Sequence, residues 1–429
     1  MVTKGRDKAG IAAGGRARRC ATALLAAAAL ALAGCNRTEH APNGTSQTGQ
    51  GVAPTAVSPA GYVYITNNGE GTISEFRQMA DGSLNFLRVE KTGSVNGPTG
   101  ISIDPTSRFL YVANEGDGRI HQFRIRRDTG GLAAINAGSV NDGPANRPQQ
   151  IAISPRGDFV YVTNSGKRGT GVNGSDKNGE GSIAEYTVDL ATGALKLLET
   201  FRGGGLQQPL GIASLPNGKF VYVSDPGAGT LLTFAVEPSG RLRPVASTPS
   251  LGDKQGAPGL VAVHPSGSFV YTVDRSAGVV VVASPAADGH LAVTKTFHVG
   301  ISTAGPFAIT GATVGPNVFL YTANQVADTV SSLVVKPDGL DLVGESPTGM
   351  GFPTGMAADA GGRNLYVVNR EASTVTQFAI AQTNGIALTP AASIFTEAAP
   401  SKASHPLYIA TTRWATPPAP VATSAPRMN

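Results

Sequence analysis

Short apolar stretches recur along the chain and alternate with turns rich in Gly and Pro. Seven of these stretches contain a tyrosine that is followed three residues later by Asn or Asp, at 63–67, 110–114, 160–164, 221–225, 270–274, 320–324 and 365–369. Runs of this length that are rich in Val, Ile, Thr and Tyr predict β-strands rather than helices. The chain is therefore expected to be all-β and to repeat one unit seven times.

Each unit contains further strands around its tyrosine strand. An upstream strand opens with a proline 13 residues before the tyrosine in five of six units, at Pro98, Pro148, Pro209, Pro258 and Pro353, and 15 residues before it at Pro306. A third strand follows the tyrosine strand, and after a turn a fourth strand begins near Leu84, Leu132, Leu195, Leu242, Leu291, Leu342 or Leu388. Four short strands in units of 42 to 61 residues match the size of a propeller blade. We therefore predict an all-β, seven-bladed β-propeller with four-stranded blades.

The two ends of the repeat array are complementary halves of one unit. The first unit, at Tyr64, has no proline strand before it, whereas Pro406-Leu407-Tyr408 has no tyrosine strand after it. The C-terminal segment is therefore expected to supply the inner strand of the first blade, which closes the ring and removes an open sheet edge. A linear solenoid, the alternative fold, gives no reason for complementary ends.

The N-terminal segment has the pattern of an export signal. A basic stretch that ends at Arg19 precedes an apolar run, Ala21 to Leu32, which is shorter than the roughly 20 residues that span a bilayer. The following Leu32-Ala33-Gly34-Cys35 resembles a bacterial lipobox, in which the cysteine is lipidated; an ordinary signal with a coincidental cysteine is the alternative. The predicted organisation is a signal peptide over 1–34, a flexible tether over 35–60, the propeller over 61–412 and a disordered tail over 413–429.

Charge and cysteine content narrow the compartment and the partners. The net charge of +5 is carried by residues 1–34, which hold six basic residues and one acidic residue, so a nucleic-acid partner is not expected. Both cysteines, Cys20 and Cys35, also lie in or directly after that segment, which excludes a disulfide, a Cys-ligated zinc and a c-type haem site from the propeller. The six histidines show no metal-ligand spacing, so we expect no cofactor and no transition metal, while calcium held by loop oxygens stays open. We expect a monomer that is anchored in the cell envelope through a lipid on Cys35. Because Asn36 rather than Asp follows this cysteine, the expected location is the outer membrane, facing the periplasm, or the cell surface.

The tyrosine strands carry a family resemblance. Tyr161-Val162-Thr163-Asn164 resembles the repeat of the YVTN propellers and, more broadly, of the lactonase family that includes the bacterial propeller 6-phosphogluconolactonases. The resemblance covers roughly residues 60–412 and implies a propeller that hydrolyses a lactone. Enzymes of this family carry an Arg-His pair after an inner-strand proline, whereas Pro148 is followed here by Gln149-Gln150. This departure argues against 6-phosphogluconolactone as the substrate.

The resemblance also places the ligand site on the loops that enter the inner strands and leave the tyrosine strands. Lactone hydrolysis needs a base that activates water and donors or cations that stabilise the oxyanion. We predict His405 as the base, with Arg147, Arg275 and Arg370 as contacts for the oxyanion and for anionic groups. The predicted ligand contacts on the same face are Glu70, Glu115, Gln149, Asp225, Asp274 and Glu371. The alternatives are that these loop charges only solvate the face, and that the Asn or Asp after each tyrosine bonds its own turn.

Two functional hypotheses remain at this point. One is an envelope-anchored, lactonase-like enzyme that acts on a small lactone, and the other is a non-catalytic propeller that binds a protein, peptide or glycan of the envelope. A narrow channel mouth where His405 and an arginine converge would favour the enzyme, and a broad apolar patch would favour the binding protein. A haem-bearing propeller is disfavoured because no attached cytochrome motif is present. The polar insertion over 165–181 is either a flap over the channel or a surface expansion.

Overall fold

The computed structural model describes residues 61–93, 97–141, 147–166, 181–251, 255–300, 305–337, 339–349, 351–383, 388–396 and 404–413. The predicted signal peptide, tether and Cys35 lie outside these residues, as do most of the insertion after Asn164 and the tail after residue 413. No helix in the described part of the chain is long and apolar enough to cross a membrane.

The described residues form 28 β-strands. The first fourteen are β1 (Gly61–Asn67), β2 (Thr72–Gln78), β3 (Leu84–Lys91), β4 (Pro98–Ile103), β5 (Phe109–Asn114), β6 (Arg119–Ile125), β7 (Leu132–Asn141), β8 (Pro148–Ile153), β9 (Phe159–Asn164), β10 (Ser182–Val188), β11 (Leu195–Arg202), β12 (Ile212–Ser214), β13 (Phe220–Asp225) and β14 (Thr230–Val236). The remaining fourteen are β15 (Leu242–Pro249), β16 (Pro258–Val263), β17 (Val270–Asp274), β18 (Val279–Pro285), β19 (Leu291–His298), β20 (Pro306–Val314), β21 (Asn317–Asn324), β22 (Thr329–Lys336), β23 (Gly339–Pro347), β24 (Pro353–Ala358), β25 (Asn364–Asn369), β26 (Thr374–Ile380), β27 (Leu388–Phe395) and β28 (Pro406–Thr411).

These strands form seven antiparallel four-stranded sheets, which confirms the predicted propeller. Blade 1 has the order β28-β1-β2-β3, and blades 2 to 7 follow as β4–β7, β8–β11, β12–β15, β16–β19, β20–β23 and β24–β27. The C-terminal β28 pairs with β1, where Ala410 lies opposite Tyr64 and Ile409 opposite Ile65. The inner strands β28, β4, β8, β12, β16, β20 and β24 each contact the next in this order, and β24 contacts β28. The ring is therefore closed, as the complementary ends predicted.

The repeated tyrosines tie each blade to the next one. Their side chains are buried between blades, where apolar residues of adjacent sheets form shared clusters such as Tyr161 with Val223 and Phe234. In four blades the tyrosine hydroxyl also donates a hydrogen bond to a glycine carbonyl in the following blade: Tyr64 to Gly130 (2.7 Å), Tyr111 to Gly193 (2.8 Å), Tyr161 to Gly240 (2.9 Å) and Tyr366 to Gly82 (2.7 Å). The buried hydroxyls of Tyr222 and Tyr271 have no hydrogen-bond partner among the described residues. The periodic tyrosine is thus a packing and hydrogen-bonding element that links the blades.

Two strand boundaries differ from the sequence prediction. The outer strand of blade 6 begins at Gly339 rather than near Leu342, because Lys336 pairs directly with Gly339 and the chain reverses early. Leu340 consequently takes the buried position, and Leu342 is exposed. The inner strand of blade 4 begins at Ile212 rather than at the predicted proline, although its preceding backbone still bonds Ser224.

Candidate active site

The strand register brings the predicted site loops to one face of the ring. In six blades the proline that opens the inner strand lies opposite the Asn or Asp that ends the tyrosine strand, as in Pro98 with Asn114 and Pro258 with Asp274. The loop before each inner strand and the loop after each tyrosine strand therefore open on the same side. We call this side the loop face.

Two of the predicted ligand contacts hold loops together. Asp225 is buried, and its carboxylate accepts hydrogen bonds from the backbone N–H groups of Gln207 (2.6 Å) and Gln208 (2.9 Å). Asp274 is also buried and accepts from the N–H of Ala257 at 2.8 Å, besides bonds within its own turn. Both carboxylates therefore fix the backbone of the loops on this face and are not free to contact a ligand.

A second group of predicted residues forms an ion-pair cluster between blades 2 and 3. The Arg147 Nε atom donates to the Glu115 Oε1 atom at 2.8 Å, and its terminal nitrogen donates to the same oxygen. The Gln149 Nε2 atom donates to the other oxygen of Glu115 at 3.1 Å. Both ionic side chains keep 23% of their exposure, so the pair lies at the surface of the loop face. The charge of Arg147 is thus balanced by Glu115 in the structure.

The hydroxyl of Tyr408 lies at the meeting point of side chains from several blades. Burial raises the pKa of this hydroxyl to about 12, so it carries its proton at neutral pH. Side chains of four other blades act on it, namely the amide of Gln150 and the positive charges of Arg275 and Arg370, which lower its pKa, and the negative charge of Glu115, which raises it. Three of the charged residues predicted from sequence therefore lie in the electrostatic neighbourhood of one hydroxyl of the closing strand.

Apolar side chains surround that point in the channel. Leu260, Phe307 and Leu407, from three different inner strands, pack against the cluster that contains Tyr408. The guanidinium carbon of Arg275 lies 5.2 Å from the centre of the Phe307 ring, a cation–π arrangement that favours this position of the arginine. Apolar side chains near the charged groups lower the local dielectric, which strengthens the electrostatic interaction of these charges with a bound ligand.

The remaining predicted residues lie on the same face. His405 directly precedes the closing strand, has a backbone φ of 42°, and its carbonyl accepts the N–H of Asn68 at 3.2 Å. Among the described residues, no hydrogen bond or ion pair joins the half-buried His405 side chain to another side chain. Glu371 is exposed after the tyrosine strand of blade 7, and Glu70 is half-buried after that of blade 1. The structure thus does not link the predicted base to an arginine by a direct contact.

Sequence reasoning missed Tyr408 and Gln150. Each is the second residue after an inner-strand proline, a position that is Gly at 100, 211 and 355. A Cβ there would collide with the next inner strand; at Gly355 it would lie 2.5 Å from the carbonyl oxygen of Leu407. Large polar side chains at a position that is glycine in three of the seven blades were the available signal.

The opposite face of the ring carries a cavity of about 600 Å³. Its walls are the far ends of the inner strands, and the titratable residues among its described lining are His264 and Arg413. Burial lowers the pKa of His264, which favours its neutral form. The described lining of this cavity holds no carboxylate, but Asp359 lines an adjoining cavity of about 550 Å³ that shares Arg413 with it. Among the described residues, no group of three or more His, Cys, Asp or Glu side chains is arranged to bind a metal ion.

A family profile matches the greater part of the chain. The profile described as lactonase, 7-bladed β-propeller, matches residues 23–145, 205–304 and 311–400. Glu115, Arg275 and Arg370 fall inside the matched residues, whereas Gln150 and Tyr408 fall outside them. The loop face therefore combines positions shared with the family profile and positions beyond it.

Individual relatives agree with that profile. The probable 6-phosphogluconolactonase of Arthroderma benhamiae is 36% identical over 87 residues, which are 20% of this chain and 22% of that protein's length. The periplasmic gluconolactonase of Pseudomonas aeruginosa has a TM-score of 0.67 at 20% identity, covering 82% of this chain and 98% of the other. A Bacteroides uniformis protein assigned to the 6-phosphogluconolactonases has a TM-score of 0.67 at 19% identity, covering 82% and 99%. At such identities the structural likeness shows the fold alone.

Proposed function

The chain belongs to the lactonase family of seven-bladed β-propellers, and from this membership we propose that it hydrolyses a small lactone at the loop face. The observation that supports the proposal is that Glu115, Arg275 and Arg370, from three blades on the loop face, all lie near enough to the Tyr408 hydroxyl for their charges to act on its pKa. Fold by itself does not determine function, so the proposal depends on this site.

In the proposed reaction, water attacks the carbonyl carbon of the lactone and the ring C–O bond then breaks, which yields a hydroxy acid. His405 is the proposed base that takes the proton from water. Because Arg147 is balanced by Glu115, Arg275 and Arg370 are the proposed contacts for negative charge on the substrate and in the transition state. The ion pair of Arg147 with Glu115 then serves to hold Gln149 and the wall of the site.

The alternative, a protein- or glycan-binding propeller, finds less support on this face. Among the described residues, the exposed large apolar side chains are Val89, Leu190, Leu197, Val326, Leu342 and Phe395. Only Val326, with 68% exposure, follows a tyrosine strand on the loop face, whereas the others lie on outer strands or on a turn of the opposite face. One isolated side chain does not form the broad apolar patch of a protein-binding surface.

The proposal is tested by hydrolysis of a lactone panel in a pH-stat. The panel contains gluconolactone, 6-phosphogluconolactone and acyl-homoserine lactones, and the full-length protein is compared with Arg275→Met and Arg370→Met. Both variants should lose turnover, most severely for a lactone that carries a negative charge. Arg413→Met, at the opposite mouth of the channel, is the control and should keep the wild-type rate. Equal losses in all three variants would argue against a site on the loop face.

We further propose that the protein is exported and held in the cell envelope by a lipid on Cys35. The basic, apolar and small-residue pattern before this cysteine supports the proposal, and so does the similarity to a periplasmic gluconolactonase. Metabolic labelling with an alkyne fatty acid should mark the wild type and Cys20→Ser but not Cys35→Ser. A label that survives in Cys35→Ser, or is missing from the wild type, would contradict lipidation at this residue.

A further inference from the structure

Tyr408 and Gln150 occupy equivalent positions on either side of one inner strand. Tyr408 lies on β28 and Gln150 on β8, and β4 packs between these two strands with Gly100 at the same level. A Cβ on Gly100 would lie 2.4 Å from the carbonyl oxygen of Gln149, so the close approach of β4 to β8 requires glycine there. Because Gly100 has no side chain, nothing from β4 separates the Tyr408 side chain from that of Gln150.

Both side chains carry a hydrogen-bond donor, and the donor of Gln150 is unused among the described residues. The Gln150 Nε2 atom is buried and has no hydrogen-bond partner among the described residues. Its amide nevertheless faces the Tyr408 hydroxyl closely enough to lower the pKa of that group. A buried donor without an acceptor is unfavourable in a folded protein and becomes favourable once a ligand oxygen accepts from it. A ligand oxygen that reached both donors would therefore satisfy the Gln150 amide.

The charges around this space favour negative charge on such an oxygen. Arg275 and Arg370 both act on the Tyr408 hydroxyl, whereas the carboxylate of Glu115 is paired with Arg147. Leu260, Phe307 and Leu407 pack against the apolar cluster that contains Tyr408, so the surroundings of this tyrosine are partly apolar. Fixed donors in a place of low dielectric are the arrangement that stabilises a developing oxyanion.

We propose, on the basis of the proposed lactone hydrolysis, that the Tyr408 hydroxyl and the Gln150 Nε2 atom form the oxyanion hole of this protein. Water adds to the carbonyl carbon, its proton passes to the base, and the carbonyl π electrons move to the oxygen that both groups bind. The electrons then return, the ring C–O bond breaks, and the alkoxide oxygen takes the proton. Tyr408 and Gln150 give hydrogen bonds throughout and exchange no proton.

The test measures kcat and KM separately for Tyr408→Phe and Gln150→Leu on the best lactone of the panel. Each variant should lose kcat by about a hundredfold, while KM should change only a few-fold, because the lost bond strengthens in the transition state. Tyr161→Phe is the matched control, since it removes a buried tyrosine hydroxyl that bonds Gly240 and lies outside the site. Its kcat should stay at the wild-type value.

The outcomes separate this inference from the proposed function. An active wild type with unchanged kcat in both variants, or with only a raised KM, overturns the oxyanion hole and leaves lactone hydrolysis standing. A wild type that hydrolyses no lactone faster than buffer overturns both. Circular dichroism and the thermal midpoint of each variant identify a loss of kcat that comes from unfolding. If Gln150→Leu unfolds, Gln150→Glu replaces it, since this variant keeps the side-chain shape but exchanges the amide donor for a carboxylate. The proposal then requires that folded Gln150→Glu loses kcat.

Discussion

Glu185 is expected to destabilise the folded protein at neutral and alkaline pH. It lies on β10 with 1% exposure, and neither carboxylate oxygen has a hydrogen-bond partner among the described residues. The residue opposite on β11 is Glu199, which is paired outward with Arg241 at 2.9 Å. In blade 1 the same position holds Glu75, but there the opposite residue is Arg88, whose Nε atom lies 2.7 Å from the carboxylate.

The lack of a positively charged partner is reflected in the pKa of the Glu185 carboxyl group. Burial raises the pKa of Glu185 from 4.5 to about 7, and the negative charge of Glu199 adds to the rise. The folded protein therefore keeps a proton that the unfolded chain releases between about pH 4.5 and pH 7. Because the unfolded state binds fewer protons in this window, the free energy of unfolding falls as pH rises through it. A shift of this size corresponds to about 3 kcal/mol above pH 7, as an order of magnitude.

Glu185→Gln removes the titrating group without changing its shape. Gln122 stands at the same position in blade 2, and its Oε1 atom accepts the N–H of Leu195 at 2.9 Å, so the fold accommodates glutamine there. The N–H of Leu242 lies near enough to Glu185 to oppose the rise of its pKa, although it makes no hydrogen bond of normal geometry there, and it should bond the new amide oxygen. We expect the free energy of unfolding to rise by roughly 1–3 kcal/mol at pH 8 and to stay within about 0.5 kcal/mol of wild type at pH 4.5.

Urea unfolding at pH 4.5 and pH 8, monitored by far-UV circular dichroism, measures this difference as a shift of the urea midpoint at constant slope. Glu75→Gln is the matched control: burial raises the pKa of Glu75 as well, but Arg88 opposes the rise and would lose its partner. The control should therefore gain less than Glu185→Gln at pH 8, or lose stability. A Glu185→Gln variant that is less stable than wild type at pH 8, or equally stabilised at both pH values, would refute the reasoning.

Two further predictions concern packing and charge. Gly240→Ala should lower the free energy of unfolding by about 2–4 kcal/mol, because φ is +87° and the new Cβ would lie 2.2 Å from the Phe159 ring. Gly203→Ala, where φ is +95° and no atom lies within 4 Å of the new Cβ, should lower it by only about 1–2 kcal/mol. Thermal unfolding of both variants measures the difference. Equal losses would contradict the packing argument. Arg147→Ala leaves the charge of Glu115 unbalanced, so KM for an anionic lactone should rise about tenfold with a smaller change in kcat in steady-state assays; an unchanged KM would place the ion pair outside the substrate site.

The fold could be predicted from sequence because its information is local and repeated. The tyrosine, the proline 13 residues upstream and the terminal Asn or Asp recur in register, and the halves around Tyr64 and Pro406 reveal the closure. A shortened turn is less visible, which is why the outer strand of blade 6 was predicted at Leu342 instead of Gly339. The shorter turn moves the buried leucine of this strand two residues towards the N-terminus, from Leu342 to Leu340, and the repeat pattern does not show this shift.

The candidate site could be predicted only in part. Repeat position placed Glu115, Arg275 and Arg370 on the loop face, since that depends only on where each strand ends. Which of them meet depends on distances across the channel, and the repeat pattern does not encode these distances. The position of Tyr408 follows from the closed ring, in which β28, the last described strand, pairs with β1.

The rate at which the full-length protein and its His405→Ala variant open the lactones of the panel tests the central claim most directly. The account predicts turnover of at least one lactone well above the rate in buffer, with release of the hydroxy acid, and loss of most of that turnover in His405→Ala with the fold preserved. Wild-type rates no faster than buffer for every lactone would contradict lactone hydrolysis, and full activity in His405→Ala would contradict the assignment of the base.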